Sequence, residues 1–70
     1  MRVREVTHPD DLAEGETYLV EYCRRTSECT FVGLSSVGRR LVLRLRLADP
    51  RPGERLGVWV YWSDVTVLEG

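Results

Sequence analysis

Apolar and polar residues alternate with a period of two along much of this chain, most cleanly over residues 39–48. There Leu41, Leu43, Leu45 and Leu47 fall on one side, and Val42, Arg44 and Arg46 on the other. Successive side chains of a strand point to opposite faces, so this run predicts a strand with a core face and a charged face. A second alternating run spans residues 17–23, with Tyr18, Val20 and Tyr22 opposed to Glu21. A third spans residues 29–35, where Gly33 inside the run predicts a bend or bulge. The carboxy-terminal run from Gly57 to Glu69 is built from Val, Trp, Tyr and Thr, which suit a pleated, half-buried surface. A Ser63-Asp64 corner divides it into two strands, with no room for a helix between them.

The connections follow from the residues between these runs. Residues 24–28 are polar and predict the first turn; Ser35-Ser36-Val37-Gly38 predicts the second. Residues 49–54 hold two prolines and a glycine, which cannot sit inside a ladder, so they form a loop. Near the amino terminus, residues 8–15 read as one helical turn. Pro9 suits its first positions, Asp10 and Asp11 favour its positive end, and Gly15 can take the left-handed stop. Residues 2–6 before it read as a short edge strand or a loose arm. The expectation is one all-β domain over residues 1–70, a five-stranded bent-strand barrel or roll preceded by one short helical turn.

Five short strands after a helical turn, with one bent strand and a tight final corner, resemble the small SH3-like and Sm-like barrels over residues 11–69. Phe31-Val32-Gly33-Leu34-Ser35 is similar to the aromatic-x-Gly segment of the second Sm-like strand, and residues 61–69 resemble the strand-corner-strand that closes such barrels. The resemblance implies an architecture. The Asp and Asn with which Sm-like proteins bind RNA have no counterpart in the matching turn, Ser36-Val37-Gly38-Arg39.

Seventy residues bury only about 60% of their unfolded surface, a thin core for which self-association is one common remedy. All ten basic residues are arginine, and lysine, isoleucine, asparagine and glutamine are absent. That bias points to a GC-rich bacterial genome, and the missing amides also fit a thermophile. The net charge of −1 argues against a strong nonspecific polyanion binder, but the charge is segregated. Residues 1–23 carry −4, residues 24–55 carry +5 with eight arginines, and residues 56–70 carry −2. No apolar run approaches the ~20 residues of a membrane helix, and Arg2, Arg4 and Glu5 are not followed by an apolar stretch. A soluble, cytoplasmic protein is expected.

Catalytic and metal chemistry find little support. Cys23 and Cys29 flank the first hairpin at a spacing open to a cross-strand disulfide, or to two free thiols in a reducing cytoplasm. His8 stands alone before Pro9, and two cysteines with one distant histidine fall short of a zinc site. No enzyme and no cofactor are expected. The aromatic run is more informative. Val58, Val60 and Trp62 share one face while Trp59 and Tyr61 share the other, yet a small barrel has one inside. Either the strand end twists so that both faces are covered, or Trp59 and Tyr61 point outward as interface anchors. The candidate partner-binding residues are therefore Trp59, Tyr61, Arg39, Arg40, Arg44 and Arg46. The leading expectation is a non-catalytic module that self-associates and binds a protein through strand edges and this aromatic face. The alternative is an Sm-like barrel for RNA or single-stranded nucleic acid, with the arginines on phosphates and a ring stacking a base.

Overall fold

The alternating runs fold into a single antiparallel sheet, seen in a computed structural model that describes residues 3–69. Arg2, part of the expected amino-terminal arm, lies outside those residues. The described residues form six strands: β1 (Arg4–Glu5), β2 (Thr17–Tyr22), β3 (Arg25–Val37), β4 (Arg40–Leu47), β5 (Gly57–Tyr61) and β6 (Thr66–Glu69). They lie in the order β1-β6-β2-β3-β4-β5, and the sheet stays open between β1 and β5. The expectation of five strands is corrected to six. The arm forms a two-residue edge strand on β6, where Arg4 opposes Glu69 and Glu5 opposes Leu68.

The bend comes from β3. Its first half pairs with β2 and its second half with β4, and the register shifts between Phe31 and Gly33, leaving Val32 as the extra residue of a bulge. A bulge adds twist and bends its strand, so one long strand can serve two neighbours as the sheet curls. On the concave side, in-register rows stack into the core. Tyr18, Cys29 and Leu47 form one row and Phe31, Leu45 and Val58 another, and Leu43 with Val60 forms a third, whose β3 member, Leu34, is exposed. Val6, Val20 and Val67 extend the core towards β1 and β6, and Leu12, Tyr22, Trp62 and Val65 pack around its margin.

Several boundaries depart from the sequence expectation. The first turn is only Cys23-Arg24, both with positive φ (50° and 60°), and Tyr22 pairs with Arg25 across it. Two-residue hairpins favour turns of this mirror-image kind because their twist matches the strands, so residues 25–28 join the ladder instead of forming a loop. The second turn is likewise short: β3 continues to Val37, and Gly38 (φ 61°) and Arg39 alone reverse the chain. Arg39 thus leaves the strand it was expected to open. The helical turn is a single 3-10 turn, Pro9–Asp11, after which Leu12 is already extended. Gly15 takes its positive φ in a later turn, where its N–H donates to the Phe31 carbonyl (2.9 Å). The Ser63-Asp64 corner is a second 3-10 turn, Trp62–Asp64.

On β4 the expected faces hold at Leu43, Leu45 and Leu47, which are buried, and at Arg44 and Arg46, which are exposed. Two positions differ: Leu41 is half-buried, and Val42, on the opposite face, is buried. The Trp62–Asp64 turn packs against this end of β4, and Val42 lies between Ser35 and Tyr61 on its neighbours. Cover therefore reaches both faces there. No helix among the described residues is long and apolar enough to cross a membrane.

Candidate functional site: the outer face of β3, β4 and β5

Alternation along β4 and β5 sends Arg40, Arg44 and Arg46 and their partners Trp59 and Tyr61 to the convex side of the sheet. Arg44 opposes Trp59, Arg46 opposes Gly57, and Val42 opposes Tyr61. The ladder's phase follows from one further bond, Leu47 N–H to the Leu56 carbonyl at 2.8 Å. Antiparallel pairs alternate between hydrogen-bonded and non-hydrogen-bonded. If 47/56 is hydrogen-bonded, so are 45/58 and 43/60, while 44/59 falls in the closer, non-hydrogen-bonded class. The Arg44 guanidinium accordingly lies over the Trp59 ring, 5.5 Å from its centroid. A cation over an indole face gains from the ring quadrupole, worth about 0.5–1 kcal/mol at an exposed site.

Arg40 is held differently. Its guanidinium stands 3.6 Å from the Tyr61 ring centroid and donates to Ser63 Oγ (3.1 Å) and Asp64 Oδ2 (3.4 Å). Both Arg40 and Tyr61 are thereby engaged in fastening β4 to the final corner. Arg39 sits apart at the tip of the β3–β4 hairpin. The six candidate residues divide accordingly. Trp59, Arg44 and Arg46 form an open patch, Arg40 and Tyr61 a fastened pair beside it, and Arg39 an outlying charge. Among the described residues, no carboxylate oxygen lies within 4 Å of Arg39, Arg44 or Arg46.

Trp59 is 65% exposed, more than any other large apolar side chain of the described residues. With Val32, Leu56, Gly57, Arg44 and Arg46 it lines a shallow groove of about 340 Å³. Gly57 helps make the trough, because a Cβ there would meet nothing within 4 Å. Val32 and Leu56 were not among the candidates read from the sequence. Val32 is presented by the bulge and Leu56 by the end of the loop before β5; Gly33 and the two prolines mark both irregularities, but not which side chain each turns into the groove.

The remaining reactive groups lie elsewhere. Cys23 is exposed in the first turn, whereas Cys29 is buried between Tyr18 and Leu47, and burial pushes its thiol pKa up. Tyr22 opposes Arg25, so Cys29 is four strand residues farther on, roughly 13 Å along the ladder. That separation corrects the disulfide alternative, since bridged cysteines need Cα atoms within about 7 Å. His8 is exposed before the Pro9–Asp11 turn, and no group of three or more His, Cys, Asp or Glu among the described residues is placed to hold a metal ion. Glu54, by contrast, is tightly engaged. It forms a two-pronged ion pair with Arg25 (Nη2 to Oε1, 3.0 Å) and accepts the Arg51 N–H (2.6 Å), tying the 48–56 loop to β3. The Arg25 hydrogen bonds, with the Arg51 amide, lower its carboxyl pKa to about 2. Compared with known proteins, the chain matches no family model, no curated protein and no solved structure.

Proposed function

We propose that this protein is a non-catalytic interaction module of the SH3-like or Sm-like small-barrel type, which self-associates and binds a protein partner through strand edges and its outer aromatic face. The architectural part of this reading is supported by the run β6-β2-β3-β4-β5, the bent strand shared by two neighbours, and the 3-10 corner before the last strand. The observation that carries the functional part is Trp59, mostly exposed and stacked under an arginine that has no carboxylate partner among the described residues. Large exposed aromatic rings beside arginine are the residue types that dominate binding energy at protein interfaces. The groove's two free cations favour a partner segment that combines an apolar side chain for Val32, Leu56 and Trp59 with a carboxylate for Arg44 or Arg46.

RNA or another single strand is the second reading, favoured by the same stacking ring with cations on its strand neighbour. The capture of Arg40 by Tyr61, Ser63 and Asp64 reduces the cations it can offer. Two measurements separate the readings. Sedimentation equilibrium at micromolar concentration should show an oligomer that is weakened in Trp59→Ser; a monomer at every concentration would reject self-association. An electrophoretic shift with single-stranded RNA at about 50 and 200 mM salt should show no complex. A complex that weakens steeply with salt, through counterion release, would instead favour the nucleic-acid reading.

A further inference from the structure

We infer that the free edge of β5 is the self-association site, where a second copy of this chain adds its own β5 antiparallel about a two-fold axis at Trp59. The inference rests on the self-association proposed above and names its surface, register and symmetry.

The two edges of the sheet are not equivalent. At one end β1 is only two residues long and carries the Arg4–Glu69 ion pair, a short and charged edge of the kind that resists pairing. At the other end β5 has β4 as its one strand neighbour among the described residues, and its register with β4 runs unbroken from Gly57 to Tyr61. From Gly57 to Tyr61 it contains no charge, no proline and no bulge. It therefore lacks the devices that normally blunt an edge.

The ladder phase decides which backbone groups are on offer. With 45/58 and 43/60 hydrogen-bonded to β4, the N–H and C=O groups of Gly57, Trp59 and Tyr61 point to the open side. An extended strand of matching period can satisfy all of them, and β5 itself does so in a symmetric register. Trp59 then opposes Trp59 of the partner, and Gly57 opposes the partner's Tyr61, exchanging about six backbone hydrogen bonds in all. Gly57 has open space where a side chain would stand, so the incoming Tyr61 ring meets no obstruction. On the concave side the register sets Val58 beside the partner's Val60. Both are only half-buried at the open end of the core, and the pairing covers them.

Charge agrees with this arrangement. An antiparallel two-fold pairing brings the start of one strand to the end of the other, so exposed Arg55 before β5 approaches the exposed corner of the partner's Asp64. The two Arg44 side chains stand three strand spacings apart, roughly 14 Å, beyond the ~8 Å screening length at physiological salt.

The test needs no substitution to begin. Amide exchange of Trp59 and Tyr61, followed by NMR, should slow at least tenfold between a dilute and a concentrated sample. Val58 and Val60, bonded to β4, should already be slow in the dilute one. Sedimentation equilibrium on the same samples should move from one to two chain masses, and Gly57→Pro, which removes an edge donor and adds a blocking ring, should return the protein to one. A monomer at all concentrations ends self-association altogether. A dimer whose Trp59 and Tyr61 amides exchange equally at both concentrations, or one that survives Gly57→Pro, leaves self-association standing and overturns the β5 edge.

Discussion

Leu45 stands at the centre of the row Phe31–Leu45–Val58, buried, with β3 on one side and β5 on the other. Truncating it to alanine removes packed methyl groups and leaves a cavity that a curled sheet cannot easily close. Leu45→Ala is expected to destabilise the fold by about 2–5 kcal/mol, read from the urea midpoint. In so small a domain that is a large part of the total. Immediately beside it in sequence, Arg44 faces solvent with only the Trp59 ring beneath it, and its exchange for alanine should cost about 1 kcal/mol or less. The contrast between neighbours on one strand follows from the period of two, and was legible in the sequence. The burial of Val42 was not, because the Trp62–Asp64 turn that packs against β4 is about twenty positions away in the sequence.

At the scale of elements, two joints govern how the strands meet. The Cys23-Arg24 turn places two side-chain-bearing residues at positive φ, a conformation that costs roughly 1–2 kcal/mol per residue for L-amino acids. Replacing the pair with Asn-Gly, the preferred pair for such a turn, should therefore stabilise the protein by about 1 kcal/mol, measurable by thermal or urea unfolding. The second joint is the Arg25–Glu54 clamp that fastens the 48–56 loop to β3. Glu54 titrates at about 2 in the folded chain against an ordinary 4.5, so folding favours its charged form. Its stabilising contribution is complete above about pH 4.5 and is lost as the pH falls through about 2. Urea titrations of wild type and Glu54→Gln at a series of pH values should show a gap in midpoint at neutral pH that narrows over this range. A gap constant down to pH 2 would show that the clamp does not couple to folding.

For the whole molecule, the open sheet and the thin core are one problem. Sheets that do not close leave an edge, and here Val58 and Val60 are left half-buried beside it. The edge pairing proposed above would address both, and it would couple folding to concentration. If two folded chains associate and unfolded ones do not, the melting temperature must rise with protein concentration. For a domain of this size, a hundredfold increase should raise it by roughly 5–10 °C once the dimer dominates. Calorimetry across that range checks it, and a melting temperature independent of concentration speaks for a monomer.

The sequence by itself determined what depends on neighbours along the chain. It specified the all-β character, the core and charged faces of β2 and β4, the bend at Gly33, the loop at the two prolines and the corner at Ser63-Asp64. Each is set by side-chain alternation or by backbone restrictions of single residues. Tertiary structure alone decided what depends on contacts between distant segments. It turned Arg4 and Glu5 into a strand by supplying β6 as a template, and it drew residues 25–28 into the ladder opposite β2. It also separated the candidate arginines by giving Arg40 a ring and a carboxylate while leaving Arg44 and Arg46 without a carboxylate among the described residues. The same residue type at neighbouring strand positions thus takes different parts, because strand period assigns a side chain its face while only the folded sheet assigns it a neighbour.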